Sequence, residues 1–264
     1  MTDERRSASS GAGDVLATGS PVTGRAGLTP AERFSIFVRS FLLQSAWNTR
    51  DMQNVGFCFA MLPISRRFGG DKERTRDYLK RHLALFNTNP AMSTYALAAA
   101  AEAETRGKPG EAIEIKRGLS GPLGMAGDAL LWGAARPLAG LLGVIAVLAG
   151  KNWAPILLLV TYNVFHLFLR SRGAGVGGER GAGARMASAS GFRSVTTALR
   201  AVLSFAAGVA AALALRSEGF SAEALAVAGA FFVLTVIALR ARVPVTAIGL
   251  AGVAGSFALM YTRF

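Results

Sequence analysis

Apolar residues recur at helical spacing from Arg33 to about Phe68, so the pattern predicts one helix that ends near Pro63 and the Gly69-Gly70 pair. Within it Ser40, Gln44, Asn48 and Asp51 fall at spacings of four, four and three. That stacks them as a hydrogen-bonding stripe beside Phe37, Phe41, Trp47, Val55 and Phe59. Asp71 opens a charged amphipathic helix with Tyr78, Leu79, Leu83 and Phe86 on one face and Lys72, Glu73, Arg76, Lys80 and Arg81 on the other. Such a helix suits a membrane surface or an interdomain position. Asn87, Thr88, Asn89 and Pro90 break it. An alanine-rich helix of about fifteen residues follows and closes at Gly107 to Gly110, and a short helix from Glu111 to Leu119 leads into a glycine motif.

Beyond Asp128 the pattern changes to long apolar runs. Five are expected to span: Ala129 to Gly150, Trp153 to Leu169, Ala198 to Leu215, Ala222 to Leu239 and Val243 to Tyr261, against a requirement of about 17 to 25 residues per helix. The run with Arg136 and Pro137 admits a re-entrant alternative, because Pro removes a backbone donor and Arg is costly in lipid. Segment 170–200 carries Arg170, Arg172, Arg180, Arg185, Arg193 and Arg200 against Glu179 alone, and Arg240 with Arg242 mark the last connection. Both read as cytoplasmic, which places the residues before the first span inside and Phe264 outside.

The expected class is therefore all-α, a polytopic integral membrane protein with N-terminal amphipathic or re-entrant helices before about five apolar spans. Its expected divisions are a disordered tail over 1–30, a helical region over 31–128, and a transmembrane region over 129–264 with a basic Gly/Arg-rich loop at 170–197. Arg5 and Arg6 have no apolar stretch behind them, so the tail reads as uncleaved and cytoplasmic. Composition agrees with lipid as the main solvent: 52% of the residues are hydrophobic, 17% are charged, and mean hydropathy is +0.37. The net charge of +13 does not point to nucleic acid, because no basic stripe interleaves with aromatics. The lone Cys58 excludes an intrachain disulfide and a cysteine zinc cluster.

Three groups of residues bear on chemistry. Amides beside a Trp match sugar hydroxyls, and the same residues equally serve as a polar face bonded to neighbouring helices. Gly121, Gly124 and Gly127 with Pro122 resemble a phosphate cradle in spacing, but no Lys-Ser/Thr follows, so close helix packing is the stronger reading. Asp128 suits a helix start or a ligand hydroxyl, and Arg136, eight residues on, lies near one face with it and suits an ion pair within the chain or across subunits. His82 and His166 have no second His, Cys or carboxylate at ligand spacing, which leaves metal binding and triad chemistry unsupported; no cofactor is expected.

Four blocks add a resemblance. RSFLLQSAWNTRDMQNVGFCFAMLP at Arg39 to Pro63, KRHLALFNTNP at Lys80 to Pro90, GLSGPLGMAGD at Gly118 to Asp128 and WGAARP at Trp132 to Pro137 stand in order. Together they resemble the IID subunits of the mannose family of bacterial sugar phosphotransferase permeases, over roughly residues 33–170. The resemblance implies a subunit, not itself phosphorylated and not an enzyme alone, that pairs with a IIC membrane subunit to carry a hexose inward. Separate IIA and IIB proteins relay phosphate, so a hetero-oligomer is implied. The match places Gln44, Trp47, Asn48 and Gln53 in the first block and Asn87 and Thr88 in the second, and some of these six are expected to line the sugar path. After residue 170 the chain departs from the family with the basic, low-complexity GAGVGGERGAGARMASASGFRSV. A working permease half and a non-transporting membrane scaffold or regulatory remnant are the two readings of that departure.

Overall fold

The computed structural model describes residues 26–151, 153–176 and 190–217, with isolated positions at 229, 230, 233, 234, 237 and 241. Nearly all of the expected tail, the middle of the basic loop, most of the expected span Ala222 to Leu239 and all of Val243 to Tyr261 lie outside the described residues. Among the described residues every regular element is helical.

Helix α1 runs Pro30–Ser40, and its start is written in the sequence. Thr29 accepts from the Glu32 amide while Glu32 reaches back to the Thr29 amide, a capping box with Pro30 in the first turn. Helix α2 runs Asn54–Ser65 and continues into a 3-10 turn over Arg66–Phe68. The single helix expected from Arg33 to Phe68 is thus two, separated by residues 41–53. Successive i to i+3 bonds tighten the chain after Ser40, and Asn48 Oδ1 accepts the Arg50 and Asp51 amides at 3.2 and 2.8 Å. A side-chain amide that satisfies the backbone locally competes with helix, and here it wins. The stripe expected from Ser40 through Gln44 and Asn48 to Asp51 therefore does not form on one helical face.

Gly69 and Gly70, at φ of +63° and +88°, turn the chain into α3, Lys72–His82, capped by Asp71. Its apolar face divides: Tyr78 is fully buried, whereas Leu83, just past the helix, is 41% exposed. Helix α4, Ser93–Thr105, is the alanine-rich element, and it packs against α1, α2, the helix Pro109–Gly127 (α5) and the helix Ala154–Val176 (α7). Ala96, Ala100, Ala101 and Ala103 are wholly buried, since small side chains let four neighbours close on one helix. Gly173 of α7 (Ala154–Val176) shows how close: a Cβ there would lie 2.2 Å from Thr94 Oγ1 and 2.9 Å from the Tyr95 amide nitrogen.

Helix α5, Pro109–Gly127, passes through a π-helical segment, Asp128–Ala135, into α6, Arg136–Leu148. The expected short helix, glycine motif and first span are one continuous rod. Pro122 and the glycines do not break it, because Gly124 and Gly127 lie against the loop at Thr88 and Asn89, and tertiary packing overrides weak helix propensity. Pro109–Leu148 and Phe192–Ala214 are long and apolar enough to cross a membrane. The latter lies within α8, Ser190–Ser217, which packs on α6 and the π segment. Beyond Arg200 its outward positions are mainly small or apolar, with Phe205 at 75% exposure, as suits a face turned to lipid.

Candidate functional site

The chain from Asn48 to Pro90 builds one wall of a pocket. Met52, at φ +59°, pairs through isolated bridges with Asn48 and Phe86, and the Gln53 amide donates to the Phe86 carbonyl at 2.8 Å. Gln53 is buried, and its side chain grips the Thr88 backbone at both ends: Nε2 donates to the Thr88 carbonyl at 2.8 Å and Oε1 accepts the Thr88 amide at 3.0 Å. The loop at Asn87–Pro90 is further fixed by Ser120, whose Oγ donates to the Asn87 carbonyl and accepts its amide. Asn89 completes the frame. Its Oδ1 accepts the Ala91 amide at 3.1 Å, and its Nδ2 donates to Asp128 Oδ1 at 2.8 Å.

Between this loop and the α5–π rod lies a cavity of about 340 Å³. Gln53, Thr88, Gly121 and Gly124 form part of its lining, with Gln44, Asn87, Asp128 and Trp132 presenting exposed side chains at its edge. Thr88 Oγ1 is buried without a hydrogen-bond partner among the described residues and lies 3.8 Å from where a Gly124 Cβ would stand. A buried hydroxyl wants a partner, and the cavity is where one would come from. Carboxylate, amides, a hydroxyl and an indole around a small cavity are the donor and acceptor set that holds a polyhydroxylated ligand.

The cavity gathers Gln44, Gln53, Asn87, Thr88, Gly121, Gly124 and Asp128 from the sequence candidates. Trp47 and Asn48 do not line it: Trp47 is half exposed elsewhere, and Asn48 is engaged by its own turn and by Asn54 Oδ1 at 2.9 Å. Gly127 faces Asn89 so closely that a Cβ would sit 2.4 Å from the Asn89 Cβ, whereas a Cβ at Gly121 would meet nothing within 4 Å. Among the described residues no ion pair joins Asp128 to Arg136; the wider π turn lies between them and Asp128 is taken by Asn89. Trp132 and Met125 join the lining without having been singled out as ligands, although Trp132 opens the fourth sequence block.

A buried polar knot that spacing did not reveal lies outside the cavity lining. Glu104 of α4 accepts from Arg81 at 2.7 and 2.9 Å and from His82 Nε2 at 3.0 Å. Burial alone would raise the Glu104 carboxyl, but these hydrogen bonds outweigh it and hold it below the ordinary value. Burial depresses His82 below its ordinary value and so favours its neutral form. Its Nδ1 has no partner among the described residues, and protonation would bury an orphan donor there. Lys116 of α5 donates to the His82 and Ala84 carbonyls at 2.8 and 2.7 Å, tying the rod to the C-terminal end of α3. Among the described residues no group of three or more His, Cys, Asp or Glu is placed to hold a metal ion.

Among the described residues every regular element is helical, two helical segments are long and apolar enough to cross a membrane, and a polar cavity lies against one of them, as in a membrane protein. Residues 27–216 match the family described as the PTS system mannose/fructose/sorbose family IID component, and the chain belongs to it. It is 34% identical over 161 residues to the PTS system mannose-specific EIID component of Escherichia coli (strain K12), covering 58% of this chain and 57% of that protein. It is 35% identical over 160 residues to the PTS system sorbose-specific EIID component of Klebsiella pneumoniae, with 58% of each chain covered. The chain thus spans a little under three-fifths of the length of these relatives. Among solved structures it resembles a chain of the mannose transporter ManYZ in complex with microcin E492, with a TM-score of 0.55, 31% identity and 70% of each chain covered.

Proposed function

We propose that this chain is the IID-type subunit of a sugar permease that moves a mannose-type hexose across the bacterial cytoplasmic membrane with a IIC subunit, coupled to phosphorylation by separate IIA and IIB proteins. The observation that carries the reading is the 340 Å³ cavity that brings Gln44, Gln53, Asn87 and Thr88 to one place beside Asp128 and Trp132. In this reading Gln53 shapes the site, because both ends of its amide are committed to Thr88. Asn87, Gln44 and Asp128 meet the hydroxyls, Thr88 Oγ1 gains its missing partner, and the Trp132 indole covers an apolar sugar face. The chain contributes binding and passage, and phosphoryl transfer belongs to its partners.

The test is hexose calorimetry on the purified complex of this chain with IIC at matched folded concentration. Asn87→Ala and Gln44→Ala are each expected to weaken binding by about 1 to 3 kcal/mol, roughly tenfold to a hundredfold, while leaving yield unchanged. Gln53→Ala should instead reduce the amount of folded complex, since it frees a buried loop. Unchanged affinity in both exposed variants removes the cavity from the sugar path. A complex that binds no hexose at all would favour the scaffold.

A further inference from the structure

A second groove, of about 390 Å³, lies between α5 with the π segment and the first turns of α8. One wall is Pro122, Met125, Ala126 and Ala129, a single face of the rod and wholly without charge. The other is cationic: Arg193 and Arg200 stand two turns apart on one face of α8, about 10 Å along its axis, with Thr197 between them. Among the described residues no ion pair engages either arginine. The Arg200 guanidinium lies over Gly133, its Nη2 3.1 Å from where a Cβ would be, so the missing side chain gives the cation its seat.

We propose that this groove binds the phosphate of an anionic glycerophospholipid, with Arg193 and Arg200 on the headgroup and the apolar wall against the glycerol and the upper acyl chain. The surroundings favour a lipid over a free phosphate. Val195, Val202 and Phe205 leave α8 apolar outside the groove, at 47%, 51% and 75% exposure. Segment 170–200 carries the arginine excess that marks a cytoplasmic connection, and the cytoplasmic leaflet is where anionic headgroups attract such residues. The groove shares Met125 with the first cavity but none of that cavity's polar residues, and the proposal does not depend on what that cavity holds.

Native mass spectrometry of the full chain in dodecyl maltoside decides it, with phosphatidylglycerol and phosphatidylcholine supplied at equal concentration. Wild type should retain phosphatidylglycerol preferentially, and Arg193→Gln and Arg200→Gln should each lose about fivefold of that binding. The double Gln variant should bind the two lipids alike, while Arg193→Lys with Arg200→Lys, which keeps the charge, should preserve the preference. Equal retention of both lipids by wild type overturns the proposal without any variant having to fold. So does undiminished phosphatidylglycerol binding in the double Gln variant. Complete displacement of the lipid by inorganic phosphate would make this a soluble-phosphate site and likewise overturn it.

Discussion

Replacing Glu104 with alanine is expected to cost about 3 to 5 kcal/mol and to leave little folded protein, because it strands two buried partners at once. His82 keeps none of its side-chain surface and Arg81 12%, so water compensates His82 not at all and Arg81 only in part. Glu104→Gln retains an acceptor for His82 but not the charge opposite Arg81, and should fall between wild type and alanine. Thermal melts in detergent, read with yield, check the order; wild-type melting in Glu104→Ala would show that the knot is incidental. The same knot sets a pH dependence. His82 is depressed below its ordinary 6.5, so the unfolded chain takes up its proton first and stability declines as pH falls below 6.5 toward the lower folded value. Glu104 is depressed below 4.5, so its contribution is present above 4.5 and is lost as pH falls further through its folded value. Both shifts make acid destabilising, and His82→Gln should flatten the part of the profile just below pH 6.5.

Gly56→Ala is expected to be nearly as damaging, at about 3 kcal/mol or more, for a steric reason. A Cβ at residue 56 would fall 2.0 Å from the Leu43 carbonyl oxygen and 2.6 Å from the Leu43 Cα. Both are backbone, so relief requires α2 to move off the 41–53 turn and carry Gln53 and the pocket loop with it. Gly118→Ala is the matched control: it lies within α5, meets nothing within 4 Å, and should be neutral or gain up to about 1 kcal/mol. Melting temperatures of the two variants side by side test the geometry. Equal behaviour would mean that the 41–53 turn does not press on α2.

Asp71 caps α3 through the Arg74 amide and marks its start as the sequence pattern expects, whereas the Thr29–Glu32 capping box starts α1 at Pro30, three residues before the expected Arg33. The pocket was legible in part for a different reason: Gln53, Asn87, Thr88 and Asp128 stand in the blocks that carry the family resemblance. Three things escaped. The break after Ser40 depends on Asn48 bonding its own turn, which periodicity does not register. Glu104 and His82 are 22 residues apart, and only the packing of α3 on the rest of the fold makes them neighbours. A faint signal existed, since Glu102 and Glu104 are the carboxylates of an otherwise small, apolar helix, where a charge needs a partner. The third is the uninterrupted run past Pro122, which local residue preferences would have ended.

That uninterrupted run has a mechanical consequence. At 1.5 Å per residue, the 40 residues from Pro109 to Leu148 make a beam of about 60 Å, roughly twice the ~30 Å thickness of the hydrocarbon layer. A span of that length cannot be wholly immersed, and the Lys116 end is held by carbonyls of the α3 terminus and the chain beyond it. Gly121, Gly124, Asp128 and Trp132 sit near the beam's middle, where the π turn is its one irregular joint. A rotation of only about 10° about one end would sweep the other through roughly 10 Å and carry the middle through about half of that. The cavity is thus mounted partway along a lever hinged at one end, where it moves about half as far as the free end.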